Sequence, residues 1–104
     1  MPVGELFILG FLGKTVPGWL KEFAARYGLG GVILFDYSCQ TQKYDNNIES
    51  PEQVRALCAE VAALPSAPMV FIDQEGGLVR RLKEERGFAT LPSAKEFNHL
   101  ARDE

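Results

Sequence analysis

The residues best placed to do chemistry in this chain lie together in Asp73–Leu82, DQEGGLVRRL. Asp73 and Glu75 supply carboxylates, Arg80 and Arg81 supply guanidinium groups, and Gly76 and Gly77 sit between them. A carboxylate accepts hydrogen bonds from hydroxyls, and a guanidinium donates to hydroxyl or carbonyl oxygens. The combination suits recognition of a sugar. The two glycines permit positive φ and close approach of backbone. The same residues also make an ordinary salt-bridged turn, in which Asp73 caps the loop and Arg80 or Arg81 neutralises it. Both readings stay open at this point. Glu75 reads as a structural acid of the loop. Retaining glycosidases hold two carboxyls about 5–5.5 Å apart across the scissile bond, and two acids on one short segment, neither marked for a raised pKa, are a poor way to supply both.

Other sources of chemistry are scarce. The pairs Gly30-Gly31 and Gly76-Gly77 belong to neither a GxGxxG fingerprint nor a Walker loop. Ser38, Ser50, Ser66 and Ser93 lie in no GxSxG elbow. His99 is the one histidine, so a multi-histidine metal site within a single chain is excluded. Cys39 and Cys58 lack CxxC spacing and read as ordinary thiols of a reducing compartment.

Three apolar stretches must position the acid and the cations. Leu6–Phe11 (LFILGF), Gly31–Phe35 (GVILF) and Met69–Ile72 (MVFI) are short and continuous, as buried parallel strands are. Asp73 then opens the segment at the C-terminal end of the third strand, where parallel α/β folds place their ligands. Between the strands run two helical patterns. The first starts at Thr15-Val16-Pro17, carries Trp19, Leu20, Phe23, Ala24 and Tyr27 on one stripe, and stops at Gly28. The second has Ser50 as cap, Pro51 in its first turn, Gln53 completing a capping box, and Val54, Leu57, Cys58 and Val61 as its buried face; Pro65 and Pro68 close it. A third begins at Ser93, with Glu96 at capping-box spacing and Phe97, Leu100 and Ala101 on one face; Ala101–Glu104 contains no helix stop.

Asp36–Asn47 (DYSCQTQKYDNN) is a polar stretch longer than the usual ~2–6 residue βα loop. It reads equally as a functional loop at a strand end or as a tolerated surface insertion. The order β-α-β-α-β-loop-α with right-handed crossovers gives parallel strands. It suits an open doubly wound sheet or the start of a (β/α) barrel, and a closed barrel typically needs ~250 residues.

With 46% hydrophobic residues the chain can form a core. Eleven basic against fourteen acidic residues leave a net charge of −3, which is not the footprint of a general nucleic-acid binder. The longest nearly unbroken apolar run, Leu6–Gly13, is far short of the ~18 residues that span a bilayer. Glu5, and the lack of a basic residue before Lys14, fit a secretory signal poorly. A cytoplasmic setting is therefore expected, with no membrane and no nucleic-acid partner.

Gly30–Phe35 (GGVILF), Asn47–Leu57 (NIESPEQVRAL), Asp73–Leu82 (DQEGGLVRRL) and Phe88–Ala94 (FATLPSA) resemble, in order and rough spacing, the N-terminal part of glycoside hydrolase family 3 in its bacterial β-N-acetylhexosaminidase branch. The resemblance runs along nearly the whole chain. It implies that residues 1–104 are the N-terminal fragment of the catalytic domain, an α/β arrangement of the first three βα units of a (β/α)8 TIM-type barrel, not closed in this chain. It implies a retaining hydrolase, working without metal or organic cofactor, that removes terminal β-linked N-acetylglucosamine from muropeptide or chitooligosaccharide substrates, with a β-glucosidase of the same family as the alternative. The family's sugar-binding aspartate and arginine fall on Asp73 and Arg81. The family's usual arginine after the glycine pair is Leu78 here, and Asp36–Asp45 lengthens the loop before Asn47. The family's Lys-His-Phe-Pro-Gly-His-Gly segment, its histidine acid/base and its aspartate nucleophile find no match, so no catalytic residue is assigned and the chain alone is expected to be inactive. Two non-enzymatic readings accompany this one: a module that binds amino sugars without cleaving them, and a short protein that self-associates through its open sheet edge.

Overall fold

A computed structural model describes residues 2–102 of the chain. Three parallel strands, β1 (Ile8–Leu9), β2 (Gly31–Leu34) and β3 (Met69–Ile72), form one open sheet in the order β1-β2-β3. Ile8 pairs with Gly31, and Gly31 to Leu34 pair in step with Met69 to Ile72. Helix α1 (Gly18–Tyr27) joins β1 to β2, and α2 (Pro51–Ala62) joins β2 to β3. A small antiparallel hairpin, β4 (Gln74–Gly76) and β5 (Val79–Arg80), follows β3, and α3 (Ala94–Arg102) follows the hairpin.

The central strand carries the core. Val32 and Leu34 of β2 pack in one buried cluster with Leu20 and Ala24 of α1 and Leu57 and Val61 of α2. Burying each of these valines and leucines stabilises by about 1.5–3 kcal/mol. Gly31 has no room for a side chain, since a Cβ there would fall 2.5 Å from Cε2 of Phe71.

The caps follow the sequence in part. Ser50 Oγ accepts from the Gln53 N–H at 3.1 Å. The Gln53 side chain departs from the capping box: its Oε1 accepts from Glu49 N at 2.7 Å and its Nε2 donates to Asn47 O at 2.7 Å. It thereby secures the approach to α2, one residue earlier than a box would. At α3 the box is complete, with Ser93 N donating to Glu96 Oε2 at 2.8 Å and Glu96 N to Ser93 Oγ at 3.3 Å. The expected lack of a helix stop in Ala101–Glu104 rests on Asp103 and Glu104, which lie outside the described residues.

Three expectations need correction. The first strand is two residues long rather than Leu6–Phe11, because Val3–Leu6 turn into a 3-10 helix. Gly4 sits so close to the backbone of Gly28 that a Cβ would lie 1.9 Å from its carbonyl oxygen, and Gly30 N donates to Gly4 O at 3.1 Å. Second, β1 and β3 are not buried: Ile8 is half-exposed and Met69 is 62% exposed, because both strands are edges of a three-stranded sheet. Third, the stripes on α1 and α3 are wider in sequence than in burial. Leu20 and Ala24 are covered, whereas Trp19, Tyr27, Phe97 and Leu100 stand exposed.

Candidate functional site

Asp73 emerges directly after β3, half-exposed. The chain then reverses through the hairpin. Gly76 and Gly77 take φ of 77° and 58°, the left-handed region that favours glycine. Gly76 also lies against the backbone before α3, where a Cβ would fall 2.2 Å from Pro92 O. Leu78 stands at the tip, 98% exposed.

Gln74 closes this reversal. Its Oε1 accepts from Arg81 N at 2.8 Å and Leu82 N at 3.0 Å, and its Nε2 donates to Leu82 O at 3.3 Å. The residue next to Asp73 thus fixes the backbone of Arg81. As a result Arg81 Nη2 lies 3.6 Å from Asp73 Oδ2, and its guanidinium carbon lies 5.3 Å from the centre of the Phe35 ring. Stacking on an aromatic face orients a guanidinium and leaves its edge donors free. Arg80 turns the other way. Its Nη1 donates to Gly77 O at 2.6 Å, and it pairs with Glu84 at 3.1 Å and Glu85 at 3.8 Å. The structure therefore chooses Arg81, not Arg80, as the partner of Asp73. Glu75 is exposed and pairs with neither arginine among the described residues.

The polar stretch after β2 is an ordered part of the same end of the sheet. Asn46 and Asn47 are buried and sew the strand ends together. Gly13 N donates to Asn46 Oδ1 at 2.9 Å, and Phe35 N to Asn47 Oδ1 at 3.0 Å. Asn47 Nδ2 donates to Phe11 O at 3.1 Å and to Gly13 O at 2.6 Å. Asp36 is fully buried and forms an ion pair with Lys83. Arg86 donates to the carbonyls of Ile48 and Tyr44. Two cations from the segment beyond the hairpin thus hold the insertion in place.

Between these parts lies an open cavity of about 310 Å³, lined by Leu12, Phe35, Tyr37, Cys39, Asn46 and Arg81. Leu12 follows β1 and Phe35 follows β2, so the cavity sits at the C-terminal ends of the parallel strands. Asp73 lies beside Arg81, which lines the cavity. An apolar hollow with one arginine, one amide and a nearby carboxylate is the composition of a small-molecule site. Glu84 is held below the usual carboxylate range by its backbone N–H and then by Arg80; burial pushes the Cys58 thiol up. His99 is exposed on α3. Among the described residues no group of three or more His, Cys, Asp or Glu side chains is arranged to hold a metal, and no helix is long and apolar enough to cross a membrane.

The sequence singled out Asp73 and Arg81, and the structure brings them together. It did not reveal Gln74, Asn46, Asn47 or the Asp36–Lys83 pair as the parts that position them. The available signal was chemical: an amide inside a loop of acids and cations, and adjacent asparagines closing a long insertion.

No family profile matches the chain. Known proteins do. A protein named beta-hexosaminidase from Alkalilimnicola ehrlichii is 44% identical over 94 residues, covering 89% of this chain and 24% of that protein. The chain therefore spans about a quarter of that relative's length. Among solved structures, NagZ from Neisseria gonorrhoeae in complex with N-trifluoroacetyl-D-glucosamine superimposes with a TM-score of 0.68 at 29% identity, covering 88% of this chain and 24% of that one. A glycoside hydrolase family 3 beta-N-acetylglucosaminidase from Paenibacillus superimposes with a TM-score of 0.71 at 30% identity, covering 88% of this chain and 16% of that one.

Proposed function

We propose, for a chain whose sequence and fold are those of a segment of the glycoside hydrolase family 3 β-hexosaminidases, that it forms part of the sugar-binding rim of an enzyme removing terminal β-linked N-acetylglucosamine. The observation that carries this reading is the pairing of Asp73 with Arg81 at the mouth of β3, fixed by Gln74 and by the Phe35 ring. Asp73 accepts from sugar hydroxyls, and Arg81 donates to hydroxyl or carbonyl oxygen. Their contribution is orientation: a sugar held in one pose has already lost the freedom that would otherwise oppose reaction. On this reading β1, β2 and β3 are the opening strands of a barrel. These 104 residues alone bind without cleaving, since the motifs that supply acid/base and nucleophile in the family have no match among them. A retaining mechanism and a cytoplasmic setting belong to the same proposal and rest on the family likeness.

The test is calorimetric titration of the chain with N-acetylglucosamine, alongside Asp73→Ala and Arg81→Ala. Binding at millimolar sugar, lost in both variants, is expected. Absence of binding by the parent chain, or hydrolysis of a chromogenic β-N-acetylglucosaminide that Asp73→Ala abolishes, would overturn it. A second reading, self-association through the sheet edge, is favoured by the exposure of Met69 and Val70 on β3. Light scattering separates the two, because a clean monomer removes the second.

A further inference from the structure

The proposed sugar contacts, Asp73 and Arg81, are polar. They grip hydroxyls and leave the non-polar C–H face of a pyranose ring unaccounted for. Phe35 lines the cavity, but Arg81 already lies over its ring. Tyr37 is the other aromatic side chain of the cavity, and it remains 38% exposed.

Tyr37 is also braced by its neighbours. Its ring meets Tyr44 edge-on, with centroids 5.1 Å apart, and the Lys83 ammonium lies 4.7 Å over the Tyr44 ring. Lys83 pairs with Asp36, the residue that immediately precedes Tyr37 and that is fully buried. The loop beyond is closed by Ser38 N donating to Lys43 O and Gln42 N to Ser38 O, both at 2.8 Å. A rigid aromatic ring offers a large contact area while losing little conformational entropy on binding.

We propose that Tyr37 is a further substrate-binding residue: its ring is the wall that takes the C–H face of a bound pyranose, and Lys83 is a positioning residue that fixes this wall through Asp36 and Tyr44. The proposal rests on the sugar-binding reading above and adds to it a requirement for a closed ring in the ligand.

The test titrates the chain with two probes, N-acetylglucosamine and its open-chain alditol, which keeps the hydroxyls and the acetamido group but has no ring face. The readouts are the amide NMR signals of Cys39 and Asn46 and the protection of Cys39 from iodoacetamide. The parent chain is expected to bind the closed ring in preference to the alditol. Tyr37→Phe should keep that preference. Tyr37→Ala should bind the ring roughly tenfold more weakly, about 1.4 kcal/mol, and the alditol unchanged, with its remaining amide spectrum intact. If Tyr37→Ala binds the ring as tightly as the parent does, the inference falls while the sugar-binding reading stands. If the parent binds neither probe, both fall.

Discussion

The end of the sheet where the strands stop and the two edges of the same sheet are built from opposite materials. At the strand ends, buried polar groups are partnered across long sequence distances: Asn47 reaches Phe11 over 36 positions and Lys83 reaches Asp36 over 47. At the edges, apolar side chains such as Ile8, Met69 and Val70 stand in the open. The contrast separates two jobs. The strand ends are tied together within these residues by this chain's own amides, with Asp36 Oδ1 and Arg81 Nε left without a partner among the described residues. The edges carry apolar surface that nothing in residues 2–102 covers. Whatever the site does, it is built to hold its geometry, whereas the edges contribute little to holding it.

That contrast breaks most directly at Asn47. Asn47→Ala strips partners from Phe35 N, Phe11 O and Gly13 O, and each buried group left unpaired costs about 1–3 kcal/mol. A loss of about 3 kcal/mol or more is expected, read by urea unfolding followed by circular dichroism. Lys83→Met comes next. Breaking a buried ion pair costs about 3–5 kcal/mol, and about 2–3 kcal/mol is expected here because the lysine side chain stays 24% exposed. Asp36→Leu in the same chain should recover much of that loss, since the stranded charge is gone; if it recovers nothing, the pair is not what holds the insertion.

Smaller effects sharpen the comparison. Gly76→Ala meets both a positive φ and the Pro92 carbonyl, and a loss of about 2 kcal/mol is expected, with sugar binding weakened through Arg81. On the other side, Met69→Lys should change stability by less than about 0.5 kcal/mol and raise the monomer fraction in light scattering; a large destabilisation would mean that the edges matter as much as the strand ends. The smallest effect is at Glu84. Its folded pKa is depressed, so any stability it adds is present above the ordinary carboxylate range and is lost as pH falls through the folded pKa. Glu84→Gln should therefore make the acid limb of the stability curve slightly shallower, read as a small shift of the acid midpoint.

Much of the frame was legible because it is local. The continuous apolar runs at Gly31–Phe35 and Met69–Ile72, the Ser50 cap and the Ser93–Glu96 box depend on neighbours within four residues, and the glycine pair announces a reversal. Asp73 and Arg81 could be picked out because acid and cation flank that reversal. Asn46, Asn47 and Lys83 could not be assigned, because each reaches a partner more than thirty positions away. The exposure of Met69, Trp19 and Phe97 was equally hidden, since a pattern shows which face is apolar but not whether anything lies against it. The 3-10 turn at Val3–Leu6 escaped because its cause is the close approach of Gly4 to Gly28.

Gln74 has one more consequence, for the alphabet of the motif itself. Its single amide acts at once as acceptor, from Arg81 N and Leu82 N, and as donor, to Leu82 O. Asparagine has both functions but is one methylene too short. Glutamate has the length but would set a second negative charge beside Asp73 and turn an acceptor toward the Leu82 carbonyl. Glutamine combines both functions with that reach, so Gln74 acts as a ruler that sets the spacing between Asp73 before it and Arg81 after it.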